Sequence, residues 1–125
     1  MIGQTSGIEK SVLAGAAITA FTIGKFGSDD NTMVPGAAST DELIGVFQHD
    51  AASGAEVRVM LEGITRIKLG GSVTRGNWLT SDASGQGVAI GSTAGTNYNA
   101  IGKAMASGSS GDIIPMLLVQ SRPQG

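Results

Sequence analysis

Between Ile44 and Val119 the chain is a succession of short apolar runs broken by glycine: IGVFQHDAASG, AEVRVMLEGITRIKLGG, SVTRGNWLTSDASGQGVAI and AIGKAMASGSSGDIIPMLLV. Valine, isoleucine and leucine recur at strand-like spacing, and nearly every interruption is Gly, Asp, Ser or Asn. Such a pattern folds as a small all-β domain with tight turns. None of the turn segments has the look of a catalytic loop. The reading therefore places function in the surface and in assembly rather than in a pocket.

A chain of 125 residues is one domain by length. Leu, Ile, Val and Phe number 29 of the 125 residues, only just above the roughly 20 % below which chains tend to be disordered. With five aromatic residues a lone subunit is expected to be modestly stable, and oligomerisation would help it. Net charge is −2 and its carriers are scattered. Without a basic stripe, nucleic-acid binding is disfavoured. The chain has no cysteine, which excludes disulfides and thiolate metal sites. Ser11 to Gly24 could pass for a signal-peptide core. Only Lys10 supplies positive charge before it, Glu9 cancels that charge, and Thr19 and Thr22 interrupt the apolar run. The stretch is also too short to cross a bilayer. The expectation is a chain made in the cytoplasm, with no membrane partner.

Residues 1–17 are small and weakly patterned and read as an extended arm, mobile when free. Ile18, Ala20 and Ile23 begin a period-two run, and residues 27–41 read as a polar loop with a turn at Pro35-Gly36. Ser39 and Glu42 have the spacing of a helix capping box, but the following Ile44, Val46 and Phe47 favour a strand. Val57, Val59 and Leu61 alternate with Glu56, Arg58, Met60 and Glu62, which predicts a half-buried strand. Beyond Gly63 the phase changes to Ile67 and Leu69, which suggests a bulge or sharp bend. Val73, Trp78-Leu79 and Val88 to Ile90 read as further short strands. Residues 91–98 read as loop, and 101–106 as either strand or a helical turn. Ile113 to Val119 reads as a central strand whose Pro115 must lie at an edge or a bulge.

Each candidate for chemistry has a simpler reading. Gly24-Lys25 and Gly102-Lys103 fail as phosphate loops: Thr19 and Asn97 stand where glycine is required, and Phe26 and Ala104 where Ser or Thr is required. Gly85, Gly87 and Gly91 have the wrong spacing for a dinucleotide site. His49 is the single histidine and precedes a turn, where a solvated rim is expected. Asp50, Asp82 and Asp112 each sit in or beside a Gly- or Ser-rich turn, so Asx-turns account for them better than a pair of hydrolytic carboxylates. Asp29-Asp30-Asn31 lacks the spaced ligands of a calcium loop. Trp78 reads as core or as an interface anchor, with a sugar platform beside Asp82 as the competing idea.

The order of motifs is itself informative. Ile44-Gly45-Val46 is followed by Asp50-Ala51, then by the strand Val57 to Gly63. Gly76 to Asp82 (GNWLTSD), Gly85 to Val88, Ile101-Gly102-Lys103-Ala104 and Gly111-Asp112-Ile113-Ile114 complete the series. Over residues 18–119 this resembles the small head decoration, or cement, proteins of tailed bacteriophages, similar to the lambda decoration protein. The resemblance implies a glycine-rich β-barrel or β-tulip domain over 18–125 behind an N-terminal arm over 1–17. It implies a homotrimer on the outer surface of the virion, bound to the major capsid protein at threefold and local threefold positions. It implies no catalytic residues, cofactor or metal. The apolar residues of the arm and first strand, Ile8, Val12, Leu13, Ile18 and Phe21, are then the expected capsid contacts, and Trp78 the expected subunit contact. Another virion β module, such as a head-fibre base or tail tip, and a glycan-binding domain are the alternatives.

Overall fold

The computed structural model describes residues 8–38, 41–90 and 99–121. Among these are nine strands and no helix: β1 (Ile8–Ala14), β2 (Ile23–Phe26), β3 (Thr32–Pro35), β4 (Leu43–Phe47), β5 (Glu56–Lys68), β6 (Trp78–Ser81), β7 (Gly87–Ala89), β8 (Ala100–Ala104) and β9 (Ile113–Ser121). Hydrogen bonding runs in the order β1-β3-β2-β4-β5-β9-β8-β6-β7, and β1 also pairs with β5. That extra pairing closes β1, β3, β2, β4 and β5 into a five-stranded barrel. Strands β9, β8, β6 and β7 continue from β5 as a second sheet. The all-β expectation holds.

Two apolar clusters follow from this arrangement, because adjacent residues on a strand face opposite ways. Phe47 and Val59 lie opposite each other across β4 and β5, as do Val46 and Met60 one step away. The first pair packs with Val12, Ala14, Ile18, Met33 and Val57 inside the barrel. The second pair, with Ile23 and Leu43, packs outside it against Ile67, Leu69, Leu79, Ile101 and Met116 of the second sheet. Met60 is 1 % exposed, although the alternation placed it on the polar face of β5. The strand is covered on both sides at that point, so a two-residue period alone misreads it.

Strand β5 is 13 residues long and serves both layers. Its first half pairs with β1 from Leu13↔Glu56 to Ile8↔Glu62. Its second half pairs with β9 from Gly63↔Leu118 to Lys68↔Ile113. The hand-over falls at Gly63, whose φ is +117°, a conformation that side chains with a Cβ rarely adopt. The phase change read at Gly63 is this change of partner.

Four stretches differ from the sequence reading; one is Val73, read as a short strand, which makes only an isolated bridge to Gly108. Residues 8–14, assigned to the arm, are paired as β1. The first four residues of β1 are exposed and only Val12 and Ala14 are buried, so the stretch carries almost no apolar period. The loop expected over 27–41 contains β3, whose one buried side chain is Met33. The strand expected from Ile18 begins only at Ile23. Before it, Ile18 makes an isolated bridge to Ala51, and Phe21 has φ +64°. That left-handed turn is pinned by the Phe21 N–H on the Phe47 carbonyl (2.7 Å) and by the Lys68 N–H on the Phe21 carbonyl (2.8 Å). Residues 101–104 prove to be strand. The capping-box residue Ser39 and the loop 91–98 lie outside the described residues.

Pro115 is tolerated in a central strand because of where β8 stops. Its carbonyl accepts the Met105 N–H (3.0 Å), so its missing N–H lies on the β8 side, just past the last residue of that strand, Ala104. Gly45 and Gly102, the glycines of the Ile44-Gly45-Val46 and Ile101-Gly102-Lys103 motifs, sit where strands approach closely. A Cβ on Gly45 would meet the Met60 carbonyl, and one on Gly102 the Leu117 carbonyl.

The layers are also tied by one polar group. Asp41 Oδ2 accepts Lys25 Nζ (3.0 Å) and the Ala37 and Ala38 N–H groups (2.9 and 3.0 Å). The Asp41 carbonyl accepts Asn99 Nδ2 from just before β8 (2.6 Å). Burial pushes the Asp41 carboxyl up, but the Ala37 N–H, the Lys25 ammonium and the Ala38 N–H outweigh it and hold the group below the usual carboxylate range.

Two outcomes follow. Gly102→Ala should destabilise the protein by about 1–3 kcal/mol, as overpacking does. Gly71→Ala, whose nearest neighbour is Val88 Cγ1 at 3.8 Å, should stay within about 0.5 kcal/mol; urea unfolding of both variants checks this. Because the folded Asp41 carboxyl is depressed, its stabilisation is full above the unfolded value of about 3.9 and lost as pH falls through the folded value. Asp41→Asn should therefore cost about 1 kcal/mol at neutral pH, and the gap to wild type should close in unfolding curves taken progressively below about pH 4.

Candidate functional site: the outer face of the second sheet

Strand β9 is apolar on both faces. Ile114, Met116 and Leu118 turn inward and are buried, while Ile113, Leu117 and Val119 turn outward and are 50 %, 38 % and 41 % exposed. Strand register extends the outward set across four strands. Ile64 of β5 lies opposite Leu117, Leu117 opposite Lys103 of β8, and Lys103 opposite Trp78 of β6. Along β5 the next outward pairs are Arg66 with Pro115 and Lys68 with Ile113. Met105, exposed, follows β8 beside Pro115. The outcome is an apolar sheet face studded with Arg66, Lys68 and Lys103, with Glu62 at one end, beside Leu117 and Val119. Contiguous exposed apolar surface of this kind marks a place of contact with another molecule.

Trp78 belongs to this face. It is half-buried, and the Lys103 ammonium stands 5.1 Å from its ring centroid, a cation–π distance. The sequence pointed to Trp78 but not to its neighbours. The available signal was the run IIPMLLV, which reads as a strand buried on both sides. Burial of the inner face is met within the chain; the outer face has no cover among the described residues.

The arm and first-strand residues divide into two groups. Ile8 and Leu13 are 55 % and 47 % exposed. Val12 and Ile18 are each 4 % exposed and pack inside the barrel, so contact with another protein through either would require opening it. Phe21 is half-buried in its left-handed turn. A third exposed apolar residue on the barrel is Phe26, which lines a shallow cleft with Lys10, Gly27, Ser28, Asp29 and Asp30.

The titratable groups weighed as chemical candidates are engaged with the backbone. His49 Nε2 accepts the Arg58 N–H (3.2 Å), and Nδ1 lies 3.0 Å from the Asp50 carbonyl. That pairing assigns the proton to Nδ1. Asp82 Oδ1 accepts the Ser84 and Gln86 N–H groups (2.8 and 2.9 Å), and Asp112 Oδ2 the Ser109 N–H (2.9 Å). Both are turn carboxylates, as read. Asp50 differs: its Oδ1 accepts the Ala20 N–H (2.7 Å), 30 residues earlier, and so ties the turn before β2 to the one after β4. Asp29 is held below the usual carboxylate range by the Asn31 N–H and the Thr32 hydroxyl. Among the described residues, no group of three or more His, Asp or Glu is placed to hold a metal ion.

Comparison with known proteins agrees with the fold. The sequence profile of the phage cement proteins matches residues 3–118. Among solved structures, the head fiber gp8.5 N base of bacteriophage phi29 is similar, with a TM-score of 0.66 at 17 % identity; the alignment covers 94 % of this chain and 98 % of that one. No curated protein matches the sequence.

Proposed function

The chain belongs to the phage cement protein family, and from that premise we propose that it binds the exterior of the expanded icosahedral capsid as a homotrimer and holds the shell against the pressure of packaged DNA. Its place as a structural component of a phage virion follows from the family. The finer reading adds stoichiometry, position and role, and the match over residues 3–118 carries it.

The physical argument is mass action. A ligand that binds only the assembled lattice stabilises it by about 2.7 kcal/mol per site when free ligand exceeds its dissociation constant 100-fold. A shell offers many such sites. A trimer engages three contacts together, so weak single contacts combine into strong avidity. In this reading the three subunits sit at threefold and local threefold positions, and synthesis takes place in the host cytoplasm. No chemistry is required of the protein: of the carboxylates considered as catalysts, Asp82 and Asp112 serve turns and Asp50 a long-range backbone contact. Ile8 and Leu13 are the contacts we assign to the major capsid protein, since both are exposed at the first strand. The capsid-directed segment, residues 1–17, then shares β1 with the barrel of the domain that stands on the shell.

The likeness to the phi29 head fiber base supports a second reading, in which the same fold serves as the base of a fibre. The two readings part on occupancy. A cement protein saturates the lattice with nothing attached above it, whereas a fibre base carries a further protein.

Purified wild-type protein should co-sediment with expanded capsids and raise the temperature at which they release DNA. Ile8→Ser/Leu13→Ser should bind at least about tenfold more weakly, as expected for loss of interface anchors, while keeping the native circular dichroism spectrum. Wild-type protein that ignores expanded capsids would overturn the reading.

A further inference from the structure

Charge is divided unevenly between the two layers. Residues 8–62, which hold the barrel, contain eight acidic and three basic residues, a net charge of −5. Residues 63–121, which hold the second sheet, contain two acidic residues, Asp82 and Asp112, and four basic ones, Arg66, Lys68, Arg75 and Lys103, a net charge of +2. Both of those acids accept backbone N–H groups of their own turns, as Asp29 does on the barrel. Arg66, Lys68 and Lys103 stand on the exposed apolar face described above. On the barrel, Phe26 is 50 % exposed in a cleft lined by Asp29, Asp30 and one cation, Lys10.

We infer that the basic apolar face of the second sheet is covered by the acidic barrel of a second copy of this chain, with Phe26 seated on the Ile113–Leu117 stripe and Asp29 and Asp30 facing Lys68 and Arg66. The inference rests on the proposed homotrimer and deepens it by naming the two surfaces that meet. The two surfaces are complementary in net charge: an aromatic anchor with two carboxylates and Lys10 on one side, and an apolar stripe with Arg66, Lys68 and Lys103 against the one carboxylate of Glu62 on the other. Such an arrangement fixes register and suppresses wrong partners. Self-pairing of the sheet face would instead set Arg66, Lys68 and Lys103 against their own copies, which like-charge repulsion opposes. Two different surfaces make a heterologous, head-to-tail contact, and three such contacts close a ring with no face left over. The same closure covers β9, whose outer side chains would otherwise remain in water on every subunit.

The test is sedimentation velocity of the full chain over a concentration series, repeated on expanded capsids. Wild type should form trimers. Arg66→Glu/Lys68→Glu and Asp29→Lys/Asp30→Lys should each raise the concentration needed for assembly at least about tenfold, the range expected for loss of close interfacial charge pairs. All four changes on one chain should restore trimers. The inference is overturned if either reversed pair assembles like wild type. It is also overturned if the four-fold variant, native by circular dichroism, stays monomeric, or if wild type trimerises neither free nor on the shell. Loss of capsid binding by Arg66→Glu/Lys68→Glu with unchanged trimers would assign the sheet face to the capsid and overturn the inference as well. Trimers that form as expected but ignore expanded capsids would instead count against the proposed function and leave the subunit contact standing.

Discussion

The antiparallel ladder between β1 and β5 holds this structure together. It joins the first described residues to the longest strand, and it alone turns an open sheet into a barrel. Without it, β1 would hang from two parallel pairs to β3, and Val12 and Ala14 would leave the barrel interior. The same strand then passes Gly63 and becomes the first strand of the second sheet. One continuous segment therefore sets the position of both layers, and the apolar cluster between them fixes how they pack.

That shared strand explains why the exposed surface lies where it does. The barrel covers one face of the second sheet, so Ile114, Met116 and Leu118 are buried. Nothing in the described chain reaches the other face, so Ile113, Leu117 and Val119 stay in water. A sheet that continues from a barrel edge is shielded on one side only, and its outer side depends on what it meets in an assembly. For a member of the phage cement family, an uncovered apolar face is expected of a part made to be built into a larger shell.

The hydrogen-bonded carboxylates show how turns and long-range contacts are divided. Asp82 and Asp112 act within their own turns and were legible from glycine and serine neighbours alone. Asp50 and Asp41 act across the fold. Asp50 reaches the backbone before β2; Asp41 gathers Lys25 and the chain before β4, and its carbonyl receives Asn99. Nothing in their local sequence separates these two from the turn aspartates, since the partner groups lie far along the chain.

Local pattern by itself determined the all-β class, the turn positions, the phase change at Gly63 and the motif order that marks the family. Each is a property of neighbouring residues: apolar spacing, a backbone conformation that only glycine takes easily, or an Asx-turn. Tertiary structure decided the rest. It drew Ile8–Ala14 into the barrel, where only two inward side chains record the strand, and found β3 inside a polar loop with Met33 as its single buried anchor. It buried Val12 and Ile18, which sequence had offered as contacts, and left Leu117 and Val119 outside, which sequence had placed only in a central strand. An apolar side chain states that it will be covered; which neighbour covers it, from the same chain or from another, is settled only when the strands pair.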